Sequence, residues 1–194
     1  MLMMDIRFLS DKKFLVFCAR FLIGFLIFYF GTRAIIGLSS PAGNYSPFVA
    51  QYLDFVTALK KLLIYFVQII LSVFGVNASE GPEFRVGIVG GKSVIVSMSC
   101  VGYIVYSVWL AYVIASDTVT RLKWFWVFFG LFILFFINCI RITAFLYTYD
   151  KGTTMPLGLD HHAWFNLLAY LAIFVMIYFY EQQQASYLER HQHA

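Results

Sequence analysis

Ser97-Met98-Ser99-Cys100-Val101-Gly102-Tyr103 is the stretch on which the reading of this chain turns. Here a polar, small-residue segment passes into the apolar run from Ile104 to Ile114. If that run is a membrane helix, Cys100 sits at its N-terminal mouth. Unpaired backbone N–H groups and the positive end of the helix dipole gather at such a mouth. Both favour a thiolate over a thiol. Further along, Asn138 and Arg141 close a second apolar run, and His161 and His162 open a third.

The composition decides what kind of chain surrounds this cysteine. Of 194 residues, 61% are hydrophobic, 20% aromatic and 12% charged. A soluble domain carries about a quarter charged residues, so the chain reads as an integral membrane protein without a large soluble domain. The formal net charge is +4, but where the positive residues fall says more than their sum. The three cysteines, Cys18, Cys100 and Cys139, form no CxxC pair and no disulfide framework, which argues against thiol–disulfide exchange. GxGxxG, P-loop and HExxH patterns are missing, so nucleotide binding and zincin chemistry have no sequence support. No metal, organic cofactor or nucleic-acid partner is expected, and no internal repeat of the transporter kind is visible.

The predicted architecture is an all-α polytopic bundle, a single integral membrane domain over residues 1–194. Residues 14–36 are long enough to span, since about 20 are needed. Residues 37–54 are rich in Gly, Ser and Pro and read as a loop. Residues 55–74 are apolar with a polar stripe of Thr57, Lys61, Gln68 and Ser72, Lys60 lying alongside. That segment reads as an amphipathic helix that spans, re-enters or lies at the interface, the stripe favouring the last two. Residues 84–99 carry two β-branched runs around Gly90-Gly91 and predict a hairpin outside the hydrocarbon. Spans at 101–116, 122–140 and 163–180 follow, with polar loops at 117–123 and 141–160 and a polar tail at 181–194.

Positive residues in short loops mark the cytoplasmic side. Arg7, Lys12, Lys13 and Arg20 put the N-terminus inside, and Arg121 and Lys123 do the same for the 117–123 loop. Cys100, Asn138, Arg141, His161 and His162 then all fall at the outer face. If 55–74 crossed fully, the N-terminus and Cys100 would disagree in side, which again favours an interfacial or re-entrant segment.

A Cys opening one helix, Asn138-Cys139-Ile140-Arg141 closing the next and a His opening the one after resembles the exosortase/archaeosortase family. The resemblance covers roughly residues 84–180 and includes the Ser-x-Ser-Cys-x-Gly segment. The short length and aromatic richness look most like the compact exosortases of Bacteroidetes-type bacteria. The resemblance implies a membrane-embedded cysteine transpeptidase in a bacterial inner membrane, with its site facing the periplasm. Cys100 would be the nucleophile that forms a thioester at the C-terminal sorting signal of a secreted protein. A histidine would relay the proton, and Arg141 would stand by the oxyanion. His161 is favoured by its spacing to Phe165 and Asn166, with His162 the alternative, because adjacent helical positions point about 100° apart. Asn138, one turn before Arg141, would orient it or bind substrate backbone.

Plainer readings stand beside these. A cysteine in a membrane helix is usually a small packing residue. Arg141 alone would read as an interfacial anchor, and the histidines or Asp160 as a helix cap. Ser97 and Ser99 read as solvated strand residues, and Cys18 and Cys139 as filler. The rival functions are an intramembrane cysteine protease that only hydrolyses, and a transporter subunit or scaffold in which Cys100 is dispensable. The recognition motif, the acceptor and the oligomeric state are left open by the sequence.

Overall fold

The computed structural model describes residues 11–41, 43–117, 120–152 and 161–192; side chains at 99, 120, 121, 161, 162, 165 and 188–192 are outside the description. The chain is mostly helical with one small antiparallel sheet. Helix α1 (Lys12–Ser39) starts at an Asp11 cap whose Oδ1 accepts from the Lys13 N–H at 2.9 Å. Such a side chain satisfies one of the donors every helix start leaves open. The short α2 (Pro47–Tyr52) has its proline in the first turn, where the missing N–H costs nothing. After a break at Leu53 and Asp54, α3 (Phe55–Val73) begins, with Asp54 accepting from the Thr57 N–H at 3.0 Å.

Three strands follow in meander order: β1 (Ala78–Gly81), β2 (Arg85–Ile88) and β3 (Ser93–Ile95). The expected hairpin is therefore the second half of a three-stranded sheet. β1 went unread because Ala78-Ser79-Glu80-Gly81 lacks the β-branched residues that mark a strand in sequence. Gly90 makes the β2–β3 turn at a φ of 77°, a backbone shape that glycine adopts without strain. The sheet turns Val86, fully buried, into a core with Leu63, Ile64 and Val67 of α3.

A 3₁₀ turn (Met98–Cys100) leads into α4 (Tyr103–Ala115), whose cap is Gly102 at a φ of 78°. At 13 residues, α4 is about 20 Å long, shorter than the 101–116 span expected and shorter than a lone crossing requires. Helix α5 (Thr120–Lys151) runs straight through the segment expected as a loop from residue 141. Nothing between Ile142 and Tyr149 breaks a helix, and the turn to Gly152, at a φ of 68°, is the first stop. The Lys92 ammonium donates to the Tyr149 carbonyl at 2.8 Å, placing a cation at the negative end of α5. Helix α6 (His161–Gln192) likewise continues through the expected tail. Its second half is tied to the bundle: Trp126 donates to Gln183 Oε1 at 2.7 Å and Tyr112 donates to Glu181 Oε1 at 2.7 Å.

Among the described residues, three helical stretches are long and apolar enough to cross a membrane: Lys12–Ser39, Pro47–Val73 and Leu122–Lys151. The expected spans 14–36 and 122–140 lie inside the first and third, while 163–180 lies inside α6. α1 packs chiefly on α4 and turns Leu22, Ile23, Ile27 and Phe30 outward. The two run antiparallel. Arg20 pairs with Asp117 at one end, and Tyr29 stacks on Tyr103 at the other.

The course of α2 and α3 bears on topology. The Ser46 N–H bonds to the Leu38 carbonyl, so α2 begins at the end of α1, on the Cys100 side of the bundle. The start of α3 then meets Phe28, Ser107 and Phe132 beside one apolar groove. Its middle reaches Phe135 through Phe66, and its end lies along Ile140, Ala144 and Tyr147. The segment thus dips into the bundle and returns toward the end it came from.

Candidate functional site

The 3₁₀ turn and the buried face of α5 build the site between them. Asn138 and Arg141, one turn apart, are 0% and 6% exposed. The Asn138 amide donates to the Cys100 carbonyl at 2.7 Å and to the Val101 carbonyl at 3.1 Å. These are the carbonyls that a tight turn leaves without helical donors. Its oxygen accepts from Arg141 Nη1 at 3.3 Å. Arg141 Nη2 then donates to Cys100 Sγ at 3.5 Å. One asparagine therefore holds both the loop that carries the sulfur and the guanidinium that faces it.

Ser97 also touches the sulfur. Its hydroxyl donates to Sγ at 3.4 Å, and its carbonyl accepts from the Cys100 N–H at 3.0 Å. Ser97 is exposed, as expected, but it is not a strand residue: it precedes the 3₁₀ turn, which returns its hydroxyl to residue 100. The i, i+3 spacing of Ser97 and Cys100 was the available signal, and it acquires meaning only in a helical turn. The position of Cys100 is corrected too. It closes the 3₁₀ turn and lies three residues before α4, and the side chains of Ser97 and Arg141 bond its sulfur.

A cleft of about 480 Å³ opens over the cluster, with Arg85, Ser97, Cys100, Arg141, Phe145 and Tyr149 in its walls. Arg85, half-buried, bonds Ser93 Oγ at 3.3 Å and adds a second guanidinium. A carbonyl entering this cleft would meet the sulfur and fixed positive charge together.

The structure thus brings Cys100, Asn138 and Arg141 into contact. The backbone of His161 and His162 opens α6, and both imidazoles, like Asp160, lie outside the described residues. Cys139 is fully buried in the core beside Ile142 and Leu146 and does not enter the cleft. Cys18 lies on α1, far along the chain from the cluster, and bonds none of its members. Among the described residues, no group of three or more His, Cys, Asp or Glu could hold a metal ion.

None of the protein-family models, curated proteins or solved structures compared with the chain matches it.

Proposed function

We propose that the chain is a membrane-embedded cysteine transpeptidase of exosortase type, acting on the C-terminal sorting signals of secreted proteins. The observation that carries this reading is the contact of Cys100 Sγ with Arg141 Nη2 at the floor of an open cleft. A scaffold gains nothing from a buried guanidinium aimed at a thiol, whereas a thiol nucleophile does.

The Cys100 thiolate attacks the scissile carbonyl carbon, and the carbonyl oxygen becomes an oxyanion beside Arg141. Collapse breaks the C–N bond and leaves an acyl thioester on Sγ. The departing amine takes its proton from a histidine at the start of α6, His161 by preference and His162 otherwise. An acceptor amine then attacks the thioester, gives up a proton to the same imidazole and frees the thiolate. Transfer is favoured over hydrolysis where the bound substrate displaces water from the cleft.

The apolar stretches long enough to cross a membrane support a multi-pass membrane protein, and the family resemblance makes that membrane a bacterial inner one. The positive residues near the N-terminus and Lys123 favour an extracytoplasmic Cys100 end. The return of α3 toward the Cys100 end supports a re-entrant reading of 55–74 and keeps that topology self-consistent.

The test is to trap the acyl-enzyme on a co-expressed substrate that carries its C-terminal signal. The expected result is a hydroxylamine-labile adduct on the peptide containing Cys100, absent in Cys100→Ala, and a product joined to an amine. Processing that persists in Cys100→Ala would overturn the proposal. A product ending only in a free carboxylate would reassign the chain as a hydrolase.

A further inference from the structure

β3 is an edge strand that opens on the Cys100 cleft. It pairs with β2 on one side alone, and every residue from Ser93 to Ser97 lines the cleft. In an antiparallel pair, alternate residues turn their N–H and C=O to the partner strand. Here those residues are Lys92, whose carbonyl accepts from the Ile88 N–H at 3.0 Å, Val94 opposite Val86, and Val96, whose N–H donates to the Phe84 carbonyl at 2.9 Å. Ser93 and Ile95 therefore turn their backbone groups away from the sheet. The Ile95 carbonyl accepts from the Ser97 N–H at 3.0 Å. The Ser93 carbonyl and the Ile95 N–H are left, and among the described residues no group bonds either of them. Ile95 is also 45% exposed although hydrophobic. The facing wall of the cleft is α5, with Ile142, Phe145 and Tyr149.

Unpaired groups along an edge are a template for another strand, and proteins commonly blunt such an edge with charge or proline. The opposite edge, β1, carries Glu80 and runs into Pro82. Residues 93–97 hold neither a charged side chain nor a proline. The unblunted edge is thus the one that leads through the 3₁₀ turn to Cys100. We propose that β3 is the docking edge for substrate: an extended stretch of the sorting-signal chain, just before the scissile bond, adds to the three-stranded sheet as a further strand. The inference deepens, and rests on, the reading of Cys100 as the nucleophile. The direction of the added strand follows from the two ends of the cleft. Lys92, before β3, bonds the Tyr149 carbonyl near the end of α5, and Cys100, after β3, lies at Arg141. A secreted protein whose body stands outside and whose anchor enters the bilayer passes Tyr149 first and the sulfur last, so it runs parallel to β3. In a parallel ladder one residue of the incoming strand bridges two groups of its neighbour. Its N–H donates to the Ser93 carbonyl, and its carbonyl accepts from the Ile95 N–H. Those are the two groups that the sheet leaves free.

The experiment follows processing of a co-expressed secreted protein that ends in an apolar anchor helix. Ile95→Pro deletes the free N–H without removing a bond of the sheet, and edge positions of this kind accept proline. Glu80→Pro is the matched control on β1. There the Val89 N–H bonds the Asn77 carbonyl, so by alternation Glu80 also turns its N–H outward. Ile95→Pro should slow processing roughly tenfold, the effect of losing one backbone hydrogen bond, whereas Glu80→Pro should match the parent. Alkylation of Cys100 by iodoacetamide, in a background carrying Cys18→Ala and Cys139→Ala, checks that the Ile95→Pro site is assembled. If it is not, proline is placed instead at each substrate residue in turn before the cleaved bond. A strand bonds one neighbour through alternate residues, so losses at every second position support the inference. Equal effects at all positions or at none overturn it, and so does parental processing in Ile95→Pro. Processing that survives Cys100→Ala removes the nucleophile reading, and this inference with it. Processing that needs Cys100 but ignores Ile95→Pro removes the docking edge alone.

Discussion

The Asn138 amide donates to two backbone carbonyls and accepts from a guanidinium, so every strong direction of the side chain is used in a fully buried place. Buried polar groups are tolerated when satisfied in this way. The arrangement passes rigidity to Arg141, whose planar fork spans the Asn138 oxygen and the Cys100 sulfur with two different nitrogens. Lysine carries the same charge on one nitrogen and lacks that fork. Arg141→Lys should therefore lower processing by about a hundred- to a thousandfold, the range set by loss of one preorganised donor. Assay of substrate cleavage at matched membrane levels of protein checks this, and near-parental turnover would remove Arg141 from the oxyanion role. The pairing of Asn138 and Arg141 was legible because i and i+3 share a helix face in any helix. Ser97 was not legible, since its meaning depends on a 3₁₀ turn. Nor was the burial of Lys60 on the inward stripe of α3, because Lys60 and Lys61 look alike until the helix is set against its neighbours.

At the scale of elements, the contact between α4 and α5 decides how the Cys100 turn reaches Arg141. Trp109, fully buried, lays its indole across α5 and donates to the Trp126 carbonyl at 3.1 Å. Gly130 makes the room, because a Cβ there would fall on the indole of Trp109. Gly130→Ala should cost about 1–3 kcal/mol through overpacking, lowering the midpoint of thermal unfolding in detergent by several degrees. An unchanged midpoint would mean the two helices are less tightly engaged than Trp109 implies. The extent of α5 is a lesson of the same scale. Arg141 and Asp150 looked like loop residues by polarity, yet the chain between them carries no Gly or Pro. The sheet then uses the protruding turns of the helix, with Asp150 Oδ1 accepting from the Lys92 N–H at 2.9 Å.

For the whole molecule, the informative feature is the way out and back taken between Ser39 and Asn77. Both ends of that segment lie on the Cys100 side of the bundle, opposite Asp117. In a cysteine-free background, Asn44→Cys and Asn77→Cys should label with a membrane-impermeant maleimide from one side, and Asp117→Cys from the other. Labelling of positions 44 and 77 from opposite sides would make α2 and α3 a full crossing and reverse the orientation of the site. The sequence by itself determined the solvent this chain is made for, because apolar content and charge placement follow from composition and order alone. It also determined the chemical types at the site, since a thiol, an amide and a guanidinium are what they are in any fold. Only the tertiary structure decided that Cys100 closes a 3₁₀ turn, that Ser97 turns back on the sulfur and that Lys60 faces inward. Each of those depends on which surfaces of separate elements are pressed together, and that packing joins residues far apart in the chain through contacts no local pattern encodes.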